Sequence, residues 1–243
     1  MITLLNRDCL EVLQEMRPVR MIFADPPDNI GLKYNGYSDK MDPQKYRVWM
    51  WDLIWHAAKK CDVLWLSYNA RHTFMIGGLI DNFLTIELGN WEAKSCVQTF
   101  TFGQHCKTDL GNNHRPLARL MRKGTKLYPD AVRVPSWRQL NGDKRADPRG
   151  RVPGDVFDFP RVTGNSKQRR SWHPTQLHED LYERCIKLCC QPGDTVCDIF
   201  AGTGTLARVS GRCGVNALLV DIDKEYCEKI AKEHSLEYES EQT

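Results

Sequence analysis

Residues 198–205 read Asp-Ile-Phe-Ala-Gly-Thr-Gly-Thr, a glycine-rich turn between a predicted buried strand and a predicted helix. Gly202 and Gly204 carry no Cβ, so the backbone of such a turn can approach a bound ligand closely. The next predicted strand ends at Asp221, whose carboxylate is expected to accept both hydroxyls of a ribose. The stretch therefore predicts an α/β sheet that binds a nucleotide-like cofactor at the carboxyl ends of its strands.

Two features around this turn refine the prediction. Asp223 is an alternative to Asp221, although it also suits the cap of the helix that follows it. The longer G-x-G-x-x-G pattern of a dinucleotide site is absent. Upstream, the run His173-Pro174-Thr175-Gln176 precedes a predicted helix that leads into the strand before the turn.

A second motif, Asp25-Pro26-Pro27, follows the apolar run at residues 19–24. An exocyclic amine on a nucleobase is a poor nucleophile, because its lone pair is delocalised into the ring. Asp25 offers a carboxylate that accepts a hydrogen bond from such an amine, and the Pro26 carbonyl offers a second acceptor. Consecutive prolines fix φ and carry no N–H, so this carbonyl is held without a competing donor beside it. The motif predicts a turn that grips an amine and frees its lone pair.

The rest of the chain alternates predicted strands with predicted helices. Strands are predicted at residues 2–5, 19–24, 62–68, 85–92, 97–102, 115–122, 195–199 and 216–221. Helices are predicted at residues 9–16, 43–60, 73–82, 177–190, 205–212 and 224–234. Between residues 124 and 154 proline, glycine and charged residues dominate, which predicts a loop-rich insertion. This order predicts a doubly wound, mostly parallel sheet with helices on both faces.

Composition narrows the class of protein. The chain has 243 residues, 41% hydrophobic and 27% charged, which suits one globular domain, and no apolar run is long enough to span a bilayer. Its ten cysteines lack the paired C-x-x-C spacing of a zinc site, so buried thiols and no metal are expected. These features favour a cytoplasmic protein, either bacterial or a viral protein in a host cell. The sequence leaves a homodimer open.

The charge is distributed unevenly along the chain. The net charge is +3, yet residues 113–172 contain 15 Lys or Arg against 5 Asp or Glu, a net of +10. Such a basic block favours a polyanionic partner such as nucleic acid, although a solvated loop with incidental charge would have the same composition.

Together, and in this order, the two motifs resemble those of the circularly permuted β group of DNA amino-methyltransferases. The resemblance implies a Rossmann-like fold with a seven-stranded type of sheet, and transfer of methyl from S-adenosylmethionine to an exocyclic amine of double-stranded DNA. It also implies that the chain is cut between the second and third strands of the sheet, so that the third strand opens the sequence. The acid before Pro-Pro favours adenine N6; the alternative is cytosine N4, where the family mostly has serine.

The resemblance also assigns residues to roles. It implies that Asp8, in the turn Asn6-Arg7-Asp8-Cys9, meets the adenine amino group of the cofactor, although Asp8 equally suits the cap of the first helix. The cofactor residues that it implies are Asp8, His173, Thr175, Asp198, Phe200, Gly202, Gly204, Thr205 and Asp221. The catalytic residues that it implies are Asp25, Pro26 and Pro27.

One position departs from the family pattern. The residue after the two prolines is usually aromatic and stacks on the base that is flipped out of the duplex, whereas this chain has Asp28. Tyr34 and Tyr37 follow on a predicted loop and are the proposed replacements; Trp172 is a more distant candidate. The departure keeps open a third hypothesis, a nucleic-acid-binding relic with weakened catalysis.

The resemblance divides the chain into three parts. Residues 1–112 are expected to form the catalytic half, residues 113–170 a basic target-recognition region, and residues 171–243 the cofactor-binding half. Four arginines at the borders of the loop-rich part are expected to face DNA. They are Arg149, Arg151, Arg169 and Arg170.

Overall fold

The computed structural model describes residues 1–100 and 106–240. Its strands are β1 (Ile2–Asn6), β2 (Val19–Ala24), β3 (Cys61–Ser67), β4 (Trp91–Thr99), β5 (His114–Arg122), β6 (Val156–Asp158), β7 (Thr195–Asp198), β8 (Asn216–Asp221) and β9 (Glu239–Ser240). Its α-helices are α1 (Cys9–Glu15), α2 (Pro43–Lys59), α3 (Thr73–Ile86), α4 (Trp137–Leu140), α5 (Glu179–Cys189), α6 (Thr205–Cys213) and α7 (Lys224–His234). Short 3₁₀ turns lie at Ala70–His72 and Pro129–Val132.

The strands form one sheet in the order β6-β4-β5-β3-β2-β7-β8-β1-β9. β5 runs antiparallel to both of its neighbours, and the other pairs are parallel. Seven strands form the expected sheet, and the short strands β6 and β9 extend its two edges. β1 pairs with β8, Ile2 opposite Ala217 and Asn6 opposite Asp221, so the first strand of the chain lies beside the last long one. The predicted permuted, doubly wound fold is confirmed.

Helices cover both faces of this sheet. α1, α2 and α3 pack on one face through a cluster that includes Leu13, Leu53 and Phe83. α5, α6 and α7 pack on the other face through a cluster that includes Ile186 and Leu206. Eight of the ten cysteines are buried, as expected, and none of the ten forms a disulfide. No helix in the described residues has both the length and the apolar character needed to cross a membrane.

One predicted element is wrong. Residues 85–92 do not form a strand, because α3 continues to Ile86 on the apolar spacing of Ile76, Ile80 and Phe83. Leu88 and Gly89 then take left-handed φ values of 49° and 77°, which end the helix. The chain enters β4 only at residue 91, and the strand predicted over 97–102 extends into residues outside the described part of the chain.

Candidate active site

The glycine-rich turn connects β7 to α6 and needs both glycines. Gly204 caps α6 with a φ of 73°, and a Cβ there would lie 3.0 Å from Ile230 Cγ1. Gly202 has a φ of 50°, and a Cβ there would lie 3.3 Å from the His173 ring. Both positions are left-handed and crowded, so any side chain would push the turn outward. The backbone amide of Gly202 donates to Asp221 Oδ2 at 2.7 Å, which fixes the turn against the end of β8.

Asp221 and Asp223, the two candidate acceptors for a ribose, have different hydrogen-bond partners. Asp221 accepts from the Gly202 amide through Oδ2 and from the Asp223 amide through Oδ1, and each oxygen keeps a second acceptor site towards the cavity beside it. Burial raises the pKa of Asp221 to about 6. Asp223 instead caps α7 through the Tyr226 amide and accepts from the Gly36 amide at 2.9 Å. The geometry favours Asp221 as the ribose acceptor.

Asp198 lies beneath the turn and not on its surface. Its side chain is fully buried, accepts from the Tyr182 hydroxyl at 2.9 Å and from the Phe200 amide at 3.1 Å, and does not line the cavity. Burial raises the pKa of Asp198 to about 8. Of the predicted cofactor residues, Asp198 and Gly204 therefore stabilise the conformation of the turn and do not line the cavity.

A cavity of about 990 Å³, measured with its open mouth, lies over this turn. We call it the cofactor cavity; its size suits a ligand such as a nucleoside with a short tail. Predicted cofactor residues on its wall are Asp8, His173, Thr175, Phe200, Gly202, Thr205 and Asp221. Trp49 and Tyr226 also line it, although no sequence motif indicated either residue. Asp8 caps α1 through Oδ1, which accepts from the Leu10 amide at 2.8 Å, so Oδ2 remains for a ligand.

His173 forms a buried, neutral part of this wall. Burial lowers its pKa to about 4, so the ring is uncharged near neutral pH. Its Nδ1–H donates to the Thr175 carbonyl at 2.5 Å, which leaves Nε2 as an acceptor beside Gly202. The ring of Tyr226 packs edge-on at 4.7 Å and holds the imidazole in place.

A second cavity, the target cavity, opens on the other side of the Asp-Pro-Pro turn. Its wall is formed in part by Asp25, Pro26, Asp28, Asn69, Gln98, His114, Arg115, Arg161 and Thr163. The two cavities share Asp25, Tyr34, Thr175, Gln176 and Leu177. A group bound in one cavity therefore meets a group bound in the other beside the Asp25 carboxylate.

Three neighbouring strand ends place Asp25. It follows β2, Ser67 ends β3, and Arg115 is the second residue of β5. The Arg115 guanidinium contacts Asp25 Oδ1 at 2.7 Å and Asp28 Oδ2 at 2.8 Å. Burial raises the pKa of Asp25, and Arg115 opposes that shift. No hydrogen bond to the Pro26 carbonyl is found within the described residues, so this carbonyl is available to a bound amine.

The segment between residues 28 and 40 folds over the cofactor cavity. The buried Asp39 carboxylate accepts from the amides of Asn29, Ile30 and Leu32 at 2.6–3.0 Å. Gly36 and Asn35 tie the far side of the segment to the start of α7. Hydrogen bonds therefore join the two ends of the loop to each other and tie its middle to the start of α7.

The two candidate stacking tyrosines on this loop differ in position. Tyr34 lines both cavities, 5.6 Å from the His173 ring, whereas Tyr37 lines only the cofactor cavity. Trp172 packs against Tyr226 at 5.6 Å, on the cofactor side. Tyr34 is thus the one of the three that reaches the target cavity.

The loop-rich insertion is attached at the amino ends of the parallel strands, away from the Asp-Pro-Pro turn. Arg20, near the start of β2, donates to the Cys189 carbonyl at 2.8 Å and to the Lys126 carbonyl at 2.5 Å. The Tyr128 amide donates to the Leu188 carbonyl. These contacts lie at the amino end of β2, whereas the Asp-Pro-Pro turn lies at its carboxyl end. β5, at the start of the predicted recognition region, is itself a strand of the central sheet.

The four predicted DNA-facing arginines occupy two places. Arg149 pairs with Asp147 at 3.0 Å and, like Arg151, is exposed in the insertion; neither lines the target cavity. Arg170 pairs with Glu233 on α7, an intramolecular contact that the sequence did not indicate.

The segment after β6 approaches the cavities more closely. Arg161 lines the target cavity, and its guanidinium lies 5.3 Å from the Phe100 ring. Arg169 Nη1 is buried without a hydrogen-bond partner among the described residues. The sequence missed Arg161 and Arg115, because no motif connects them to Asp25. DNA contact by the four predicted arginines stays a prediction.

The fold and these cavities define a class of protein: an α/β domain of the methyltransferase type, with a cavity over the glycine-rich turn that meets a second cavity at the Asp-Pro-Pro turn. A family model described as DNA methylase matches residues 19–233. The chain belongs to this DNA methylase family, as the motif order indicated.

Individual relatives support the assignment. DNA adenine methyltransferase YhdJ of Escherichia coli K12 is 29% identical over 240 residues, which cover 92% of this chain and 79% of the relative. Type II methyltransferase M.HpaI of Haemophilus parainfluenzae is 29% identical over 229 residues, which cover 90% of this chain and 68% of the relative.

Solved structures share the fold. The PvuII DNA methyltransferase (cytosine-N4-specific) superimposes with a TM-score of 0.72 at 15% identity, covering 95% of this chain and 85% of that one. The M1.HpyAVI–SAM complex superimposes with a TM-score of 0.64 at 19% identity, covering 97% of this chain and 100% of that one.

Proposed function

We propose that the protein is a site-specific DNA methyltransferase that moves a methyl group from S-adenosylmethionine to adenine N6. The observation that carries the proposal is the position of Asp25 at the junction of the two cavities. Membership of the DNA methylase family supports the reaction class, and the relative named an adenine methyltransferase favours adenine over cytosine.

The cofactor cavity fits S-adenosylmethionine by its chemistry. The two glycines keep side chains off the turn where an adenosine would lie, and Asp221 keeps acceptor capacity for its ribose hydroxyls. Asp8 Oδ2 would accept from the adenine amino group, because the cap of α1 uses Oδ1. The neutral His173 and Thr175 would line the methionine end. When bound, this cofactor supplies a sulfonium methyl group.

The residues of the Asp-Pro-Pro turn prepare the target amine. Asp25 and the Pro26 carbonyl accept its two N–H groups, which frees the nitrogen lone pair to form the new N–C bond as the methyl–sulfur bond breaks. The Asp25 carboxylate stabilises the positive charge that arrives on the nitrogen, and the amine then loses one proton to water or to Asp25. Pro27 fixes the turn: its carbonyl accepts from the Tyr46 hydroxyl at 2.9 Å.

DNA binding completes the proposal. The target base leaves the duplex, enters the target cavity and stacks on Tyr34, with Tyr37 as the second candidate. Arg149, Arg151, Arg169 and Arg170 are proposed phosphate contacts. In this scheme residues 1–112 form the catalytic half, 113–170 the recognition region and 171–243 the cofactor half. We also propose a cytoplasmic protein that needs no metal.

Asp25→Ala tests this function. The variant should lose methyl transfer to DNA at least a thousandfold while its S-adenosylmethionine affinity stays within about twofold, because Asp25 is proposed to touch the amine and not the ribose. Tritium transfer to DNA, calorimetry with the cofactor and single-molecule sequencing of methylated bases measure the three quantities. Asp62→Ala, which changes a partly exposed aspartate at the amino end of β3, is the control.

Two outcomes would contradict the proposal. Wild-type turnover in Asp25→Ala would remove the mechanism. A wild-type protein that binds duplex DNA firmly but methylates none would favour the relic hypothesis, and methyl groups on cytosine N4 would favour the alternative target.

A further inference from the structure

Arg115 forms a cluster with three side chains around the Asp-Pro-Pro turn. Its Nη2 contacts Asp25 Oδ1 at 2.7 Å and Asp28 Oδ1 at 3.1 Å, and its Nη1 contacts Asp28 Oδ2 at 2.8 Å. Its Nε donates to Ser67 Oγ at 2.7 Å, and Ser67 in turn hydrogen-bonds Asp25. The Asn69 amide donates to Asp28 Oδ1. All three nitrogens of the guanidinium therefore donate hydrogen bonds, two of them to carboxylates and one to Ser67.

The geometry explains Asp28, the position that departs from the family pattern. Its side chain is 8% exposed, and both of its oxygens are engaged by Arg115. An aspartate in that environment acts as the counter-ion of the arginine, and it offers no surface on which a base can stack. Asp28 and Arg115 are therefore two parts of one arrangement.

The charges show what the arrangement achieves. Arg115 paired with Asp25 alone would bring the turn to neutrality, and a bidentate fork would occupy both oxygens that the amine needs. With Asp28 present, the fork faces Asp28, and only one guanidinium nitrogen touches Asp25. Two carboxylates and one guanidinium keep a net charge of −1 where positive charge develops during transfer.

We infer that Arg115 and Asp28 are positioning residues for methyl transfer: Arg115 holds Asp25 by one oxygen, and Asp28 takes up the remaining charge of the guanidinium. The second oxygen of Asp25 then stays clear of the guanidinium and can accept a hydrogen bond from the target amine. This inference rests on the proposed function of Asp25.

The titration of Asp25 makes the arrangement measurable. Burial raises its pKa, Arg115 lowers it and Asp28 raises it. Charged or titratable groups face it from the turn itself, β5, the loop over the cofactor cavity, α5 and β7. They are Asp28, Arg115, Tyr34, Tyr182 and Asp198. Removal of Asp28 and removal of Arg115 should therefore shift Asp25 in opposite directions.

The experiment measures single-turnover methyl transfer against pH for wild type, Asp28→Asn, Arg115→Gln and Arg115→Lys. In Asp28→Asn the rate should fall at least tenfold, because Arg115 turns fully onto Asp25, and the acid limb should move to lower pH. In Arg115→Gln the acid limb should move to higher pH. Arg115→Lys should return the limb towards its wild-type position while the rate stays low, because the charge remains and the fork is lost. Cofactor affinity should stay within about twofold throughout.

Matched controls lie outside both cavities. Arg212→Lys changes another arginine that bridges two carboxylates, Glu179 and Glu183 at 3.1 Å, and Asp62→Asn changes another aspartate paired with an arginine. Both should keep the wild-type rate and pH profile. Acid limbs that do not move, or that move the same way in Asp28→Asn and Arg115→Gln, would overturn the inference.

A direct titration separates this inference from the function on which it rests. Carboxyl-carbon NMR of aspartate-labelled protein, with Asp25→Asn to assign the signal, follows Asp25 without DNA. If wild-type protein transfers no methyl group, the proposed function fails while this titration still tests the cluster. An Asp25 signal whose midpoint is the same in wild type, Asp28→Asn and Arg115→Gln would refute it.

Discussion

The carboxylate of Asp221 should make cofactor binding depend on pH near 6. Burial raises the pKa of Asp221 to about 6, and ribose hydroxyls donate only to an acceptor, so the bound state favours the ionised form. At pH 5 about one carboxylate in ten is ionised in the free protein, so S-adenosylmethionine should bind about tenfold more weakly than at pH 7, a loss of ~1.4 kcal/mol. Binding at pH 5 should release about one proton, and binding at pH 7 about none.

The variant Asp221→Asn separates this effect from a general loss of affinity. The amide keeps the shape of the side chain but accepts more weakly and carries no charge, so affinity at pH 7 should fall by ~1–3 kcal/mol. Its affinity should no longer change between pH 5 and 7. Calorimetry in buffers of different ionisation enthalpy measures both affinity and proton release. The range stays below the pKa of the cofactor's own α-amino group, about 8.

The control is Asp198→Asn, which changes the buried carboxylate beneath the same turn. Asp198 does not line the cavity, so this variant should keep the wild-type dependence on pH. His173 adds little, because its pKa of about 4 leaves it neutral over the whole range. An Asp221→Asn protein that still loses affinity tenfold from pH 7 to pH 5 would refute the assignment of Asp221 and move the ribose contact elsewhere.

Two further predictions concern the target cavity and the core. Tyr34→Ala should slow methyl transfer about tenfold or more, the equivalent of ~1–3 kcal/mol of lost base stacking, whereas Tyr34→Phe should not slow it. Single-turnover rates of these variants, measured beside Tyr37→Ala, test this. An unchanged rate in Tyr34→Ala would exclude Tyr34 as the residue on which the base stacks. Asp198 keeps its proton in the folded protein up to a pKa of about 8, whereas the unfolded chain releases it near 4, so its ionisation costs stability as pH rises between these values. Between pH 5 and 7 the unfolding free energy of wild type should therefore fall relative to Asp198→Asn by about 1 kcal/mol per pH unit in denaturant titrations, and parallel curves would contradict this.

The sequence predicted elements best where local chemistry and tertiary role agree. Residues 19–24, 216–221 and 224–234 match the observed bounds of β2, β8 and α7. The β2 run is apolar except for Arg20 and is followed by Asp25, the β8 run is apolar from Ala217 to Val220 and ends at Asp221, and Asp223 supplies a side-chain cap for α7. Residues 85–92 failed because their apolar residues suit a strand and the last turn of a helix equally well, and the left-handed stop at residues 88–89 has no strong sequence signature apart from glycine.

The residues of the candidate site were likewise predictable only where a simple structural rule applies to them. Asp25, Gly202 and Asp221 were predictable because each follows a parallel strand, and the carboxyl ends of parallel strands meet at one edge of the sheet. Within the described residues the cofactor cavity joins them as expected. Asp198 ends such a strand as well, but its side chain points below the turn, a choice that depends on the Tyr182 hydroxyl of a distant helix.

Arg115 shows where this logic stops. β5 runs antiparallel to β3, so its amino end, and not its carboxyl end, reaches the edge of the sheet that carries Asp25. A search for functional residues at the carboxyl end of each strand would therefore look near residue 123. That end of β5 lies at the opposite ends of the strands from Asp25. The sequence predicted a strand at residues 115–122 but not its direction, which follows from its antiparallel pairing with β4, and the charge count placed Arg115 only in a basic block. Once the direction of β5 is known, a partly buried arginine 90 positions from Asp25 in sequence becomes its immediate neighbour, and the acid at position 28 becomes its counter-ion. The residue that looked like a defect in the family pattern is then the expected partner of an arginine that the pattern does not include.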